Sequence, residues 1–360
     1  MRYSKEDAQM TQGLAILCMV ILHLFCRVGS DVLGTPLLWL NSETPFVFWF
    51  GFFAEICVPL YSLCTGYAQQ LLWEGGRSGI RDRACRILRL MRNYWIVLAL
   101  FSVLGLIIDN GNTIPGSFDK FLKSIVLLHS YNGAWWYLNT YVILLALPPA
   151  LLLLPVHKLK LIPGLLFCTG FHIMWYLVNK LGLVPDAASA PAVLQFVRKE
   201  LVNLAGVLAY IWVGGLLCKY RVMDLLWERF TKHIPESRQK LFLLVSTVVI
   251  FVLTNIIHKA VLMGFVALAV FFLFNLWEKG KRTKAVCLFL GTHSTNIWLV
   301  HMFFYSGFLR TPVLAVRYPI LMLTVLLALS ICSSYVIMQI DRWVQFGINQ
   351  FQVSLIENEN

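Results

Sequence analysis

Long apolar runs separated by short basic clusters fill the chain from residue 8 to residue 348. Runs of about eighteen or more apolar residues mark membrane-spanning helices. The pattern predicts ten of them, at 8–28, 45–72, 92–109, 134–155, 161–184, 199–218, 240–257, 260–277, 285–309 and 318–348. Residues 241–277 are nearly continuous, and one helix over them would be about 55 Å long. A tight hairpin at His258–Lys259 is therefore expected. Residues 121–129 are apolar but too short to cross, which suits the outer interface.

Composition agrees with this reading. Of the 360 residues, 59% are hydrophobic and 13% charged, where a soluble domain carries about a quarter charged. The net charge of +12 would suit a nucleic-acid binder, but the basic residues sit between apolar segments and read as orientation signals. With the N-terminus inside, 21 of the 30 Lys and Arg residues fall on the cytoplasmic side of a ten-span chain. The expectation is an all-α polytopic membrane protein with both termini cytoplasmic. One ten-helix domain would cover 1–350, and a short polar cytoplasmic tail 351–360. No cleavable signal, appended domain or internal repeat is expected, and no nucleic-acid partner. The nine cysteines are odd in number, form no CxxC pair and read as small core residues.

Chemistry is expected where polar groups stand inside apolar spans. His23 lies about fifteen residues into the first span, roughly 22 Å along it, in the middle or outer half of the membrane. Gln12, Met19 and His23 share one helix face, the ends roughly 16 Å apart. An imidazole there can take a proton from a hydroxyl or carry an acyl group; the bland alternative is a packing hydrogen bond. Glu55 reads as the one acidic residue far inside a span and is expected beside His23, as an orienting partner or as a bundle hydrogen-bonder. Arg86 and Arg89, in a loop read as following the second span, share a face and suit either carrier phosphates or lipid headgroups. Trp135, Trp136 and Tyr137 suit sugar stacking or interfacial anchoring. His301 lies in the outer half of the ninth span. No His, Cys or carboxylate pair has zinc spacing on one helix face, so no metal is expected.

Taken in order, these stretches resemble the membrane-bound acyltransferase-3 family along almost the whole chain. TQGLAILCMVILHLF resembles its opening segment, where a basic residue precedes an essential histidine by about ten positions; His23 matches the histidine. VPLYSLCTGY resembles a run ending Ser-Gly-Tyr, here Thr65, Gly66 and Tyr67. RILRL resembles its Arg-x-x-Arg element, matched by Arg86 and Arg89; AWWYLNTY and IWLVH resemble two further segments, the latter matched at His301. Gln12 departs from the pattern, because an amide cannot supply charge to a phosphate. Met91 and Arg92 replace the usual tyrosine-proline.

The resemblance implies an O-acetyltransferase in the bacterial plasma membrane, with no permanently bound cofactor. Cytoplasmic acetyl-CoA would be the co-substrate, and a hydroxyl of an envelope glycan or glycolipid the acceptor. His23 would be catalytic with Glu55; Gln12, Arg86 and Arg89 would hold the donor; Trp135, Trp136, Tyr137 and His301 would face the acceptor or its channel. The competing readings are an exporter of a polysaccharide intermediate or small polar solute, which needs no acyl donor, and a structural partner in an envelope-synthesis complex. Acceptor identity, acyl chain and oligomeric state are not encoded legibly.

Overall fold

The computed structural model describes residues 3–27, 34–184 and 190–358, with side chains described as far as 350. Val28 at the end of the first expected span, Arg2 and the last two residues of the expected tail lie outside the described residues. All regular structure among the described residues is helical, apart from one isolated antiparallel bridge between Trp39 and Pro45.

The helices are α1 (Lys5–Phe25), α2 (Val47–Phe53), α3 (Cys57–Glu74), α4 (Ile80–Ile108), α5 (Phe118–Ile125), α6 (Trp136–Ala146), α7 (Pro149–Leu152), α8 (Leu154–Lys158) and α9 (Leu161–Lys180). They continue as α10 (Ala192–Lys219), α11 (Val222–His233), α12 (Glu236–Ile257), α13 (Met263–Leu276), α14 (Lys281–Tyr305), α15 (Thr311–Ala315) and α16 (Pro319–Asn358). Seven described segments are long and apolar enough to cross a bilayer: α1, 47–74, α4, α9, α10, α12 and 319–350. The protein is therefore an all-α, multi-pass membrane protein. The apolar faces left exposed by the fold, such as Leu166 at 67% and Leu244 at 62%, are those that lipid would cover.

The other three expected spans take different forms. The expected 134–155 span is α6 followed by two short helices, because Pro148, Pro149 and Pro155 cannot sustain one ladder. The expected 260–277 span is α13 with a 3-10 turn before it, Ala260–Leu262. The expected 285–309 span is α14, which begins at Lys281. The hairpin at 258–259 is present, with His258 at φ 49° closing α12. The arginine stretch after the second span is not a loop: α4 begins at Ile80, and Arg86 and Arg89 are helical. The chain after 350 continues α16 to Asn358.

Two compact units divide the chain, one comprising the residues up to Arg83 with Trp136–Ser294, the other Ala84–Trp135 with Thr295 onward. In the first, α3 packs along α10 and α1. A Cβ at Gly66 would overlap the Ile211 carbonyl, and one at Gly214 the Leu63 carbonyl, so the two backbones touch, as small residues allow between membrane helices. In the second, the middle of α4 pairs with α16 through Arg92 and Asp341. Asn296 accepts from Asn93 Nδ2 and donates to Ser334 Oγ. Phe101 stacks on Phe303 at 4.3 Å.

Candidate active site

His23 stands in the last turn of α1. The helix reaches back beyond residue 8 because Ser4 caps it reciprocally with Asp7. His23 is thus eighteen residues, roughly 27 Å, from the helix start. That is the far end of the helix, which agrees with the outer-half placement.

Glu55 lies where the second span changes its winding. The helix tightens into a 3-10 turn at Ala54–Ile56 and resumes as α3. Pro59 explains the break: it has no N–H to give the Glu55 carbonyl four residues back, and its ring crowds that oxygen. A Cβ at Gly51 would overlap the Phe25 and Cys26 backbone, so α2 lies directly against the end of α1. The Cys26 thiol then donates to Glu55 Oε1 at 3.7 Å. The carboxyl thus meets α1 at Cys26, three residues after His23.

Glu55, Val58 and Pro59 form one wall of a cavity of about 290 Å³. Trp136 at the start of α6 and Asn203 and Tyr210 of α10 are its other polar and aromatic walls, and Val202, Gly206, Val207 and Met263 of α13 fill the rest. The Asn203 amide nitrogen is buried with no hydrogen-bond partner. Three residues earlier on α10, Glu200 is 4% exposed. Asn139 Nδ2 donates to its Oε1 at 3.2 Å, while Oε2 is buried without a partner. The reading of Glu55 as the one acidic residue deep in a span is thus corrected. The span is expected to begin at 199, which puts Glu200 at its very edge; Pro191 before α10 is the start signal that places Glu200 in its third turn.

The remaining candidates separate. Trp136 is on the cavity wall. Trp135 is 2% exposed and its indole N–H donates to Leu299 O at 2.9 Å. Tyr137 is buried, its hydroxyl 3.3 Å from Ser62 Oγ. His301 is fully buried, with Nδ1 2.9 Å from Trp298 O. These three are built into packing. Gln12 is half-buried on α1, and Arg89 is exposed on α4 with Arg86 half-buried one turn before it.

A second polar cavity, of about 580 Å³, lies at the opposite end of α1 from His23. Asp7, Met10, Asn275, Lys279 and Lys284 are among its walls. Lys284 Nζ also pairs with Glu6 at 2.7 Å. A third cavity, about 440 Å³ between α1, the 47–74 span, α12 and α13, is almost wholly apolar. Among the described residues no three His, Cys, Asp or Glu side chains gather as metal ligands. The first cavity therefore combines a carboxyl, an amide, a phenol and an indole face beside the histidine-bearing end of α1. Such a set can bind and deprotonate a hydroxyl group.

Residues 9–339 match the family model described as an acyltransferase domain. No curated protein and no solved structure matches the chain.

Proposed function

The chain belongs to the acyltransferase-3 family and is a multi-pass membrane acyltransferase; from that premise we propose that it moves an acetyl group from acetyl-CoA to a hydroxyl of a glycan or glycolipid across a bacterial cell membrane. The observation that carries the reading is the seating of Glu55, through Cys26, against the His23 end of α1 on the wall of a polar cavity. The acceptor hydroxyl enters that cavity, with Trp136 as the face for a sugar ring. His23 acts on the reaction from the last turn of α1, as base or as acyl carrier.

The donor needs positive charge for its phosphates. Gln12 has none to offer. Lys279 and Lys284, on the cavity at the start of α1, support a donor entry there; Arg86 and Arg89 on α4, in the other unit, are a separate basic pair suited to phosphates. The basic-residue distribution orients that end of α1 to the cytoplasm. Donor and acceptor would then meet α1 from its two ends, which suits transfer across a bilayer.

The test is transfer of isotope label from acetyl-CoA to extracted glycan and glycolipid in membranes holding the protein. His23→Ala, at matched folded expression, is expected to lose at least 100-fold in rate. Label transfer undiminished in that variant, or none in the wild type, overturns the reading.

A further inference from the structure

Tyr210 belongs to two cavities at once. It lines the Glu55 cavity and a neighbouring one of about 230 Å³ that also holds His172, Cys168 and Thr169. The phenol is thus the partition between a polar chamber and a histidine on α9. Its ring has room only because residue 264 is glycine: a Cβ there would stand 2.5 Å from Tyr210 Cε1.

The hydrogen bonds behind the partition have a defined direction. His172 Nε2 is 2.9 Å from Val261 O, an atom that can only accept, so Nε2 carries the ring hydrogen. In the neutral imidazole Nδ1 is then a bare acceptor. It lies 3.3 Å from Tyr210 Oη, so the phenol O–H donates a hydrogen bond to Nδ1. The oxygen of Tyr210 is left with lone pairs for a donor in the Glu55 cavity. A hydroxyl-bearing ligand is such a donor. The unpartnered Asn203 nitrogen on the same wall is a complementary donor to that ligand's oxygens.

We propose that Tyr210 and His172 form a proton relay that takes the proton of the acceptor hydroxyl in the Glu55 cavity. The inference rests on the acyltransferase reading above. As the acceptor oxygen attacks the acyl carbon, its proton passes to Tyr210 Oη, and the phenol proton passes to His172 Nδ1. The imidazolium keeps its Nε2–H on Val261 O. A C–O bond forms, the C–S bond to the carrier breaks, and the relay returns its proton to the departing thiolate directly or through water. Acid–base work on the acceptor side then leaves His23 to act on the acyl side. Tyr210 is the catalytic residue of the pair, and His172 a positioning residue acting through it. The titratable groups lining the two cavities are Glu55, Cys168, His172 and Tyr210.

The test uses full-length wild type, Tyr210→Phe and His172→Gln in membranes, with labelled acetyl-CoA and the membranes' own acceptors. kcat and KM are read, and detergent-solubilised thermal unfolding checks folding. Tyr210→Phe is expected to lose about 100-fold in kcat with KM little changed. His172→Gln is expected to lose about 100-fold in kcat as well, the lower end of such proton transfers, again with KM little changed, and adding it to Tyr210→Phe is expected to cost little more. Folded variants that keep wild-type kcat, or that lose rate through KM alone, overturn the relay and leave the acyltransferase reading intact. A wild type that transfers no label overturns the acyltransferase reading, and the relay with it.

Discussion

The carboxyl of Glu200 lies beneath α10 with one oxygen on Asn139 and the other unmatched. A buried acceptor without a donor costs on the order of 1–3 kcal/mol, which a membrane helix tolerates where function repays it. Glu200→Gln keeps the acceptor for Asn139 and should shift stability by less than about 1 kcal/mol. Glu200→Ala removes it and opens space beside α6, costing about 1–3 kcal/mol, read as a lower unfolding midpoint in detergent. Equal midpoints for the two variants would refute the role given to the Asn139 contact. The residues themselves were unequally legible. His23 and Glu55 stood out because a titratable group within an apolar run is conspicuous. Glu200 was masked by Arg198 and Lys199 beside it. Tyr210 and His172 were invisible, since a tyrosine or histidine on an apolar helix gains meaning only from what other helices set opposite it. The expected depth of His23 was short because the Ser4–Asp7 cap was not read as a helix start.

The break between α2 and α3 turns on a single imino group. Pro59 withholds the hydrogen bond that would continue the helix through Glu55, and the resulting 3-10 turn sets the direction of the carboxyl. Pro59→Ala restores the donor. Helix continuity should then extend through 54–57, with unfolding temperature unchanged or raised, since proline costs about 3 kcal/mol in a regular helix. Acyl transfer should nevertheless fall by about 10- to 100-fold, because small misplacements of a catalytic group are expensive. Lower activity together with lower stability would instead mean that Pro59 merely packs. A proline inside an apolar run is visible in the sequence, but the carbonyl it releases depends on counting four residues back within a helix already known to be continuous on both sides. Helix existence was legible from hydropathy alone; helix ends were not. The arginines of α4 looked like loop because charge interrupts the apolar signal, although Arg86, Arg89 and their neighbours are good helix formers.

Ten crossings were expected and seven described segments meet the length and hydropathy of a free-standing span. The difference lies in what surrounds each helix. With its 3-10 turn, α13 covers 260–276, about 25 Å at helical rise, short of a hydrocarbon core near 30 Å. Its Met263, Ala267, Phe271 and Asn275 are buried, Asn275 by hydrogen bonding with Thr11. A helix sheltered by protein need not match the bilayer or be uniformly apolar. The same argument covers α14, whose His293, Ser294 and Asn296 are all buried. Hydropathy therefore undercounts such helices, whereas the alternation of basic clusters does not, because it reports loops. If α12 and α13 both cross, His258 and Lys259 lie on the side opposite Ser237 and Lys281, each of the last three exposed. A membrane-impermeant maleimide applied to intact cells carrying Cys85→Ser and Cys332→Ser should label Lys259→Cys, and should reach Ser237→Cys and Lys281→Cys only after the cells are opened. Labelling of all three only after opening would make α12 and α13 a re-entrant pair and reduce the crossings to eight. An even number of crossings would survive, so the donor and acceptor ends of α1 would stay on opposite sides, and trans-bilayer transfer would have to be refuted by the label assay and not by topology.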